Sequence, residues 1–272
     1  KKNKAGEPIK GGKRIVDYSD NTTGTRLQEL KYLMKKYTER ATKIDTSSIR
    51  RNRDAIEAKN THESDAIYLT AKELEAFKNA DISSLSKGYE YARDIFLVGC
   101  YTAQRISDYN NISRDNIKTR EIIRKRGEVE VIEERLVIEL RQKKTGTKVI
   151  IPVKRELREI LEKYDYNLPH LADQVLNRYI KTIAELAGIN EPTPIRSTNG
   201  GKEVTEIRPK YELCTSHTAR RTGATLMYLA GMQSFDIMRI TGHSTPIMLE
   251  KYIKASELEV SDNLTTKYDY FA

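Results

Sequence analysis

Apolar residues recur at a helical interval along most of this chain and change to a strand-like pattern near its middle. Leu27, Leu30, Met34, Tyr37 and Ala41 fall at i, i+3, i+4 spacing and predict one amphipathic helix after the aperiodic lead KKNKAGEPIKGGKRIVDYSDNTTG. The next run, SSIRRNRDAIEAKNTHESD, has few core positions and reads as a linker or a short helix followed by one, which puts a domain boundary near residues 60–66. In YLTAKELEAFKNA, Thr70 stands three residues before Glu73, the signature of a capping box, and the helical pattern continues over residues 90–110. RLVIEL (135–140) and KVIIPV (148–153) are β-branched runs joined by RQKKTGT, whose Gly146 suits a tight hairpin turn. Helical patterns return at 154–164 and 171–187, a long loop or hairpin follows at INEPTPIRSTNGGKEVTEIRPKYEL, and the last third is helical through Tyr252 before a tail at 256–272. The expected fold is mainly α with a small antiparallel β-sheet.

A chain of 272 residues can hold one large domain, or one domain plus a smaller one, with an ample core. A single long helix cannot bury its apolar face alone, so residues 1–62 are expected to be part of a basic helical domain with its linker, either trimmed upstream or docked on a partner. Residues 63–272 form the second domain, with the tail at 256–272. Cys100 and Cys214 sit in apolar or strand-like surroundings, so a disulfide framework is not expected and a reducing compartment fits. No apolar run reaches the ~18 residues of a membrane span and residues 1–20 lack a signal-peptide core, which reads as a cytoplasmic, soluble protein.

Charge changes the picture. Lys and Arg outnumber Asp and Glu by 48 to 39, a net +9, and residues 1–60 hold 16 of the former against 8 of the latter, so +8 lies in the first fifth of the chain. That bias suggests a polyanionic partner, although charge alone reports attraction to phosphate and no specificity. P-loop, GxGxxG, CxxC and HExxH patterns are all lacking, and so is any internal repeat.

Candidate chemistry concentrates in SHTARRTGATLMYLAGMQSFDIMRITGHSTPIMLEKYIKAS (216–256), where His217 and Arg220 share a helix face three residues apart. Singly, such residues are commonplace. Jointly, H-x-x-R is followed by His243 after 23 residues and by Tyr252 after 9 more. These intervals resemble the C-terminal signature of the tyrosine recombinases, or phage-type integrases. The resemblance extends upstream: TAQRISD (102–108) matches the family's T-G-x-R-x-S-E box with Arg105 in the arginine slot and Asp108 in the acidic one. KTGTKVIIP (144–152) matches its hairpin lysine, assigned to Lys144 with Lys143 adjacent and Lys148 across the turn.

Two departures stand out. Ala103 replaces the usual Gly, which touches only a tight helix approach, since alanine keeps Arg105 in helical register. Arg221-Thr222-Gly223 replaces a frequent H-T-F and reads as a packing variant. Details such as HTARRTGAT, IMRITGHS and EKYIKAS look most like integrases of mobile elements, including conjugative transposons, in Bacteroides-type bacteria. The longer β region at 120–135 has no functional account.

The resemblance implies a tyrosine recombinase catalytic domain preceded by a partial core-binding domain that together clamp duplex DNA. It implies cleavage and rejoining through a 3′-phosphotyrosyl intermediate, with Tyr252 as nucleophile and Lys144 as the acid that protonates the leaving 5′-oxygen. Arg offers a permanently charged planar fork matched to phosphate oxygens, which suits Arg105 and Arg220. His217 would accept the tyrosine proton and His243 would donate to a non-bridging oxygen. No metal and no ATP are expected, because the covalent link conserves the bond energy. Asp108 is expected to orient neighbours in the arginine box.

The implied partners are specific double-stranded DNA sites, a homo-tetramer passing through a Holliday junction, and accessory DNA-bending or excision factors, in a cytoplasmic, nucleoid-associated setting. The tail, with Leu258, Val260, Leu264, Tyr268 and Phe271, would dock on a neighbouring protomer. Competing readings are a type IB topoisomerase-like strand transferase and a catalytically idle DNA-binding protein of the same fold. His62 and His170 read as structural. A Cys214–His217 thiol pair is the weakest alternative.

Overall fold

The structure, a computed structural model, describes residues 25–30, 32–34, 36, 66–126, 129–199 and 202–267. It divides into two units, Lys1–Asp65 with Pro194–Ile207, and Ala66–Thr193 with Arg208–Ala272. In the first, residues 25–30, 32–34 and 36 are helical, so Leu27, Leu30 and Met34 lie on a helix, while Tyr37, Ala41 and the run at 47–65 fall outside the described residues. Two strands, Pro192–Asn199 and Lys202–Pro209, pair as a separate two-stranded sheet, so the segment read as a loop or hairpin is a hairpin.

The second unit opens with α1 (Ala71–Lys78). Its capping box is complete: the Thr70 N–H donates to Glu73 Oε2 at 2.7 Å and the Glu73 N–H donates to Thr70 Oγ1 at 3.3 Å. Leu74 and Phe77 are buried, and Phe77 meets Phe96 at 4.7 Å between ring centroids. Phe96 belongs to α2 (Lys87–Thr102), the central helix, which packs against α5 (Asp173–Leu186) and α7 (Ser216–Leu229). Around it Ile95, Phe96, Ile138, Ile151, Leu157, Leu161, Leu176, Ile180 and Ile183 are essentially fully buried. Each such side chain contributes roughly 1.5–3 kcal/mol by leaving water.

The helical stretch expected over 90–110 is broken. Helix α2 ends where Ala103 adopts a left-handed backbone (φ 52), and α3 (Ile106–Tyr109) starts anew with Arg105 as its N-cap. Alanine's helix propensity points the other way, but close packing decides. A Cβ on Gly223 of α7 would lie 2.3 Å from the Cys100 carbonyl oxygen and 2.9 Å from Ala103 Cβ. One on Gly99 would lie 2.9 Å from Ala219 Cβ. The backbones of α2 and α7 therefore approach through small residues, and Gly223 fills the packing role expected of the Arg221-Thr222-Gly223 variant.

After a 3-10 turn at Arg114–Asn116, strands β1 (Ile117–Arg126), β2 (Val129–Arg141) and β3 (Lys148–Pro152) form an antiparallel sheet in that order. Arg141 faces Lys148 and Val137 faces Pro152, while Val149 and Ile151 alternate inward along β3. The region at 120–135 extends the β1–β2 ribbon beyond β3, with Ile123 opposite Ile132, both exposed.

Helices α4 (Arg155–Lys163), α6 (Lys210–Leu213), α8 (Ser234–Thr241), α9 (Pro246–Glu250) and α10 (Glu257–Lys267) complete the unit. The segment read as a tail is thus largely helix; Tyr268 and Phe271 lie outside the described residues, and Tyr68, near the start of the unit, donates to Glu259 of α10. Asn263 also donates to the Leu229 carbonyl, so α10 is tied to its own unit. Among the described residues no helix is long and apolar enough to cross a membrane.

Candidate active site

Helix α7 begins where expected. Thr215 is its N-cap, with its N–H on Thr218 Oγ1 at 3.0 Å, and the Ser216 N–H donates to Asn177 Oδ1 at 2.7 Å. One turn in, Arg220 has no exposed surface. Its Nη1 donates to the Ala103 carbonyl at 3.0 Å, and its Nη2 reaches the Thr241 carbonyl at 2.9 Å and His243 Nε2 at 2.9 Å. The guanidinium thus joins the ends of α2 and α8, both terminated by left-handed residues, Ala103 and Gly242. Burial and then Arg105 push its pKa down to about 10, opposed by Tyr252 and Asp108, so it stays charged at neutral pH. Its Nε is buried with no hydrogen-bond partner among the described residues.

His243, 5% exposed, follows Gly242. Its Nδ1 lies 2.8 Å from Thr241 Oγ1, whose own proton goes to the Ile237 carbonyl at 2.8 Å. Arg220 can only donate, so His243 Nε2 accepts and Nδ1 carries the proton. Burial, then Arg220 and Arg105, hold its pKa down at about 3. His217 is half-buried, and burial followed by Arg221, Arg220, Arg105 and Lys144 lowers its pKa to about 4. Both imidazoles are neutral at pH 7.

Tyr252 meets all three groups. Its ring centroid is 5.5 Å from that of His217, 4.7 Å from that of His243 and 5.2 Å from the Arg220 guanidinium carbon. It lies in the turn after α9 and not on a helix as expected. The cause is Thr225 of α7, whose hydroxyl accepts from the Lys254 N–H at 3.0 Å and donates to the Tyr252 carbonyl at 3.3 Å, diverting the groups that would extend α9. Tyr252 and Ile253 also pack against Ala224, Ile237 and Leu249.

Arg105, half-buried, donates from Nη1 to Gln142 Oε1 at 3.2 Å. The exposed Lys144 rides the turn between β2 and β3, closed by the Gly146 N–H on the Gln142 carbonyl at 2.8 Å with Gly146 at φ 70. Asp108 Oδ1 accepts the Lys143 backbone N–H at 2.9 Å, so the acid of the arginine box orients the lysine turn. Lys148 pairs with Glu139 at 3.3 Å, whereas the charge of Lys144 is felt at His217. All six predicted residues, Arg105, Lys144, His217, Arg220, His243 and Tyr252, therefore belong to one neighbourhood of the second unit.

Sequence reasoning missed Gln142, Gln104, Thr241 and Thr225, all buried and hydrogen-bonded into this neighbourhood. Ile138, Leu140 and Gln142 alternate on one inward face, and a glutamine at an inward position was the available signal. Cys100 and Cys214 are buried, and burial pushes the Cys214 thiol up to about 12 and the Cys100 thiol well above its usual value, which removes the thiolate alternative. His170 is exposed in the loop before α5, and His62 lies outside the described residues. No group of three or more His, Cys, Asp or Glu among the described residues is arranged to hold a metal.

The phage integrase family model matches residues 67–259 of the 272. Among solved structures, the chain is similar to the XerA recombinase at 18% identity over 74% of this chain and 65% of that one, with a TM-score of 0.49. It is similar to the XerH site-specific recombinase bound to palindromic difH substrate, a post-cleavage complex, at 15% identity over 77% and 54%, with a TM-score of 0.50. A third likeness is to the Tn1549 transposon integrase in complex with transposon right end DNA, at 15% identity over 97% and 89%, with a TM-score of 0.48. The chain spans 65% and 54% of the first two structures' own length. At such identities the XerH likeness speaks for the fold. No curated protein matches the chain in sequence.

Proposed function

Since the chain belongs to the phage integrase family, as the match over residues 67–259 shows, we propose that it is a site-specific DNA recombinase that cuts and rejoins strands through Tyr252. The observation that carries this reading is the placing of two neutral imidazoles and one buried guanidinium within 5.5 Å of the Tyr252 ring.

The chemistry follows from the charges. A scissile phosphate would be bound by Arg105 and Arg220, and the charge gathering on the non-bridging oxygens is held by these preorganised cations. The Tyr252 oxygen–phosphorus bond forms as the phosphorus–O5′ bond breaks. The tyrosine proton passes to His217, which is neutral and has a lone pair to receive it. An arriving phosphate offsets the field of Arg221, Arg220, Arg105 and Lys144 that keeps His217 from protonating, so substrate makes the base stronger. Lys144 gives a proton to O5′. His243, in the tautomer set by Arg220, accepts from the guanidinium through Nε2; protonating Nε2, which the same anion favours, would exchange that contact for donation to a phosphate oxygen.

Residues 1–62, with most of the chain's net charge, would supply the other half of a clamp around the duplex. Four protomers on two duplexes, exchanging strands through a Holliday junction, would integrate or excise a mobile element at the nucleoid, with accessory DNA-bending or excision factors. Helix α10 would leave its own unit to dock on a neighbour in that assembly.

The test is a nicked suicide site, on which cleavage traps the covalent product. Wild type should form an adduct, and Tyr252→Phe should lose it while keeping the band shift. An adduct that survives the substitution overturns the assignment of the nucleophile.

A further inference from the structure

We propose that Gln142 is a positioning residue that fixes the Lys144 turn relative to Arg105 and His243, an inference that rests on the recombinase reading above. Gln142 is 1% exposed, and its amide uses its full hydrogen-bonding capacity. Oε1 accepts from Arg105 Nη1 at 3.2 Å and from Thr145 Oγ1 at 2.8 Å. Nε2 donates to Gln104 Oε1 at 2.7 Å and to the Thr241 carbonyl at 2.8 Å. The amide's orientation is fixed, because a guanidinium can only donate and the Thr241 carbonyl can only accept. On the main chain, the Gln142 N–H donates to the Thr147 carbonyl at 2.9 Å and its carbonyl accepts from the Gly146 N–H at 2.8 Å, so the same residue frames the turn that carries Lys144.

The other side of the amide is shaped to fit. A Cβ at position 242 would lie 2.5 Å from Gln142 Oε1 and 2.7 Å from its Cδ, so Gly242 is required by this side chain as well as by its own φ of 72. Gln104, the neighbour of Arg105, extends the lattice by donating to the Thr102 carbonyl at 3.0 Å and the Ile240 carbonyl at 2.7 Å. Arginine box, lysine turn and the Gly242–His243 corner come from three distant parts of the chain. Gln142 is the residue that bonds to all three. Lys144 itself is exposed, and Arg141 Nη1 on the Gly146 carbonyl at 2.8 Å and Asp108 on the Lys143 N–H hold only the turn's backbone.

The experiment separates positioning of the acid from general support. Gln142→Met keeps the length and loses the four amide contacts; Thr145→Val, on the exposed turn, removes only the hydroxyl, with its bond to Gln142 Oε1 at 2.8 Å and the long one it accepts from the Thr147 N–H at 3.4 Å. Each is assayed for adduct formation on a nicked suicide duplex, first with the ordinary 5′-bridging oxygen and then with a 5′-bridging sulfur, whose thiolate leaves without a proton. With oxygen, Gln142→Met should cleave roughly ten- to a hundredfold more slowly with an unchanged band shift, and Thr145→Val should show a smaller loss of the same kind. With sulfur, most of each loss should disappear. A defect equally large on both substrates, or cleavage at the wild-type rate in both variants, overturns the inference. If Gln142→Met does not fold, Thr145→Val decides alone. A wild-type chain that forms no Tyr252 adduct on either substrate fails the recombinase reading instead, so the two failures are told apart.

Discussion

Arg220 and Lys144 are both cations that the proposed chemistry sets on one phosphate, and the chain builds them in opposite ways. Arg220 has no exposed surface and spends its guanidinium on two carbonyls, one from the cap of α2 and one from the end of α8, and on the imidazole of His243 two residues beyond α8. Lys144 is exposed on a turn that is held through its neighbours. The difference is one of task. A group that stabilises charge must be in place before charge develops, and its orientation is best set by folding. A group that delivers a proton must reach an atom that moves, and an exposed stem leaves it room.

Removing the buried member should have the largest effect. Arg220→Ala takes away the charge and leaves the Ala103 carbonyl and His243 Nε2 without their donor, while the Thr241 carbonyl keeps the bond from Gln142 Nε2. Adduct formation should fall roughly 100- to 1000-fold, about 3 kcal/mol of barrier. Stability should fall with it, by about 1–3 kcal/mol for each buried group left unpaired, read as a lower denaturant midpoint at constant slope. Full stability in this variant would mean that the buried guanidinium has no structural role.

Lys144→Ala is the counterpart. Cleavage should drop roughly a hundredfold, the lower end of what a general acid supplies, and a 5′-bridging sulfur should restore it. The melting temperature should stay at the wild-type value, since the side chain is exposed. A variant that melts early would show the turn to be as structural as the arginine corner.

The two members differed also in how far they could be read from sequence. The spacing of His217, Arg220, His243 and Tyr252 carried the site because the joint intervals resemble a family signature, and Gly146 marked the lysine turn because a tight turn needs a positive φ there. The lattice behind them was not legible. Gln142 bonds to partners 37, 38 and 99 positions away, and no local periodicity announces such pairings. Ala103 was read as helix because alanine favours helix, yet the close approach of Gly223 and the hydrogen bond from Arg220 to its carbonyl settle its backbone. Tyr252 was assigned to a helix from the helical pattern of the last third and the family signature, and a threonine 27 positions upstream ends that helix before it. In the first unit, most of the residues on which sequence predictions were made lie outside the described set.

The histidines sharpen the comparison by reporting on each cation separately. Their folded pKa values, about 4 for His217 and about 3 for His243, lie below the ordinary 6.5. Above pH 6.5 both are neutral folded or unfolded and cost nothing. As pH falls below 6.5 the unfolded chain takes up protons that the folded chain refuses, so stability declines until the folded histidines protonate near pH 4 and 3. Thermal melts between pH 7 and 4 should show that decline. Only His217 feels Lys144; His243 feels Arg220 and Arg105. Lys144→Ala should therefore raise the His217 pKa toward 6.5 and leave that of His243 alone, measured by titrating the ring protons in NMR. A shift of both would mean the turn reaches deeper than the geometry places it.

Ala103→Gly probes the arginine corner most gently, because its terms nearly cancel. Glycine removes the strain of a left-handed alanine, about 1–2 kcal/mol. Against that, the lost methyl is fully buried and worth about 0.8 kcal/mol, and glycine gives up roughly 0.5–1 kcal/mol of extra chain entropy on folding. The sum is within about 0.8 kcal/mol of zero, a shift of the melting temperature of roughly 3 °C or less in either direction for a domain of this size. The Ala103 carbonyl stays where Arg220 needs it, so cleavage should match wild type. A rise of several degrees would show that the methyl makes poor contacts and that the strain dominates. A loss of cleavage at unchanged stability would show that Ala103 Cβ, wedged against Gly223, helps to aim the carbonyl that holds the guanidinium.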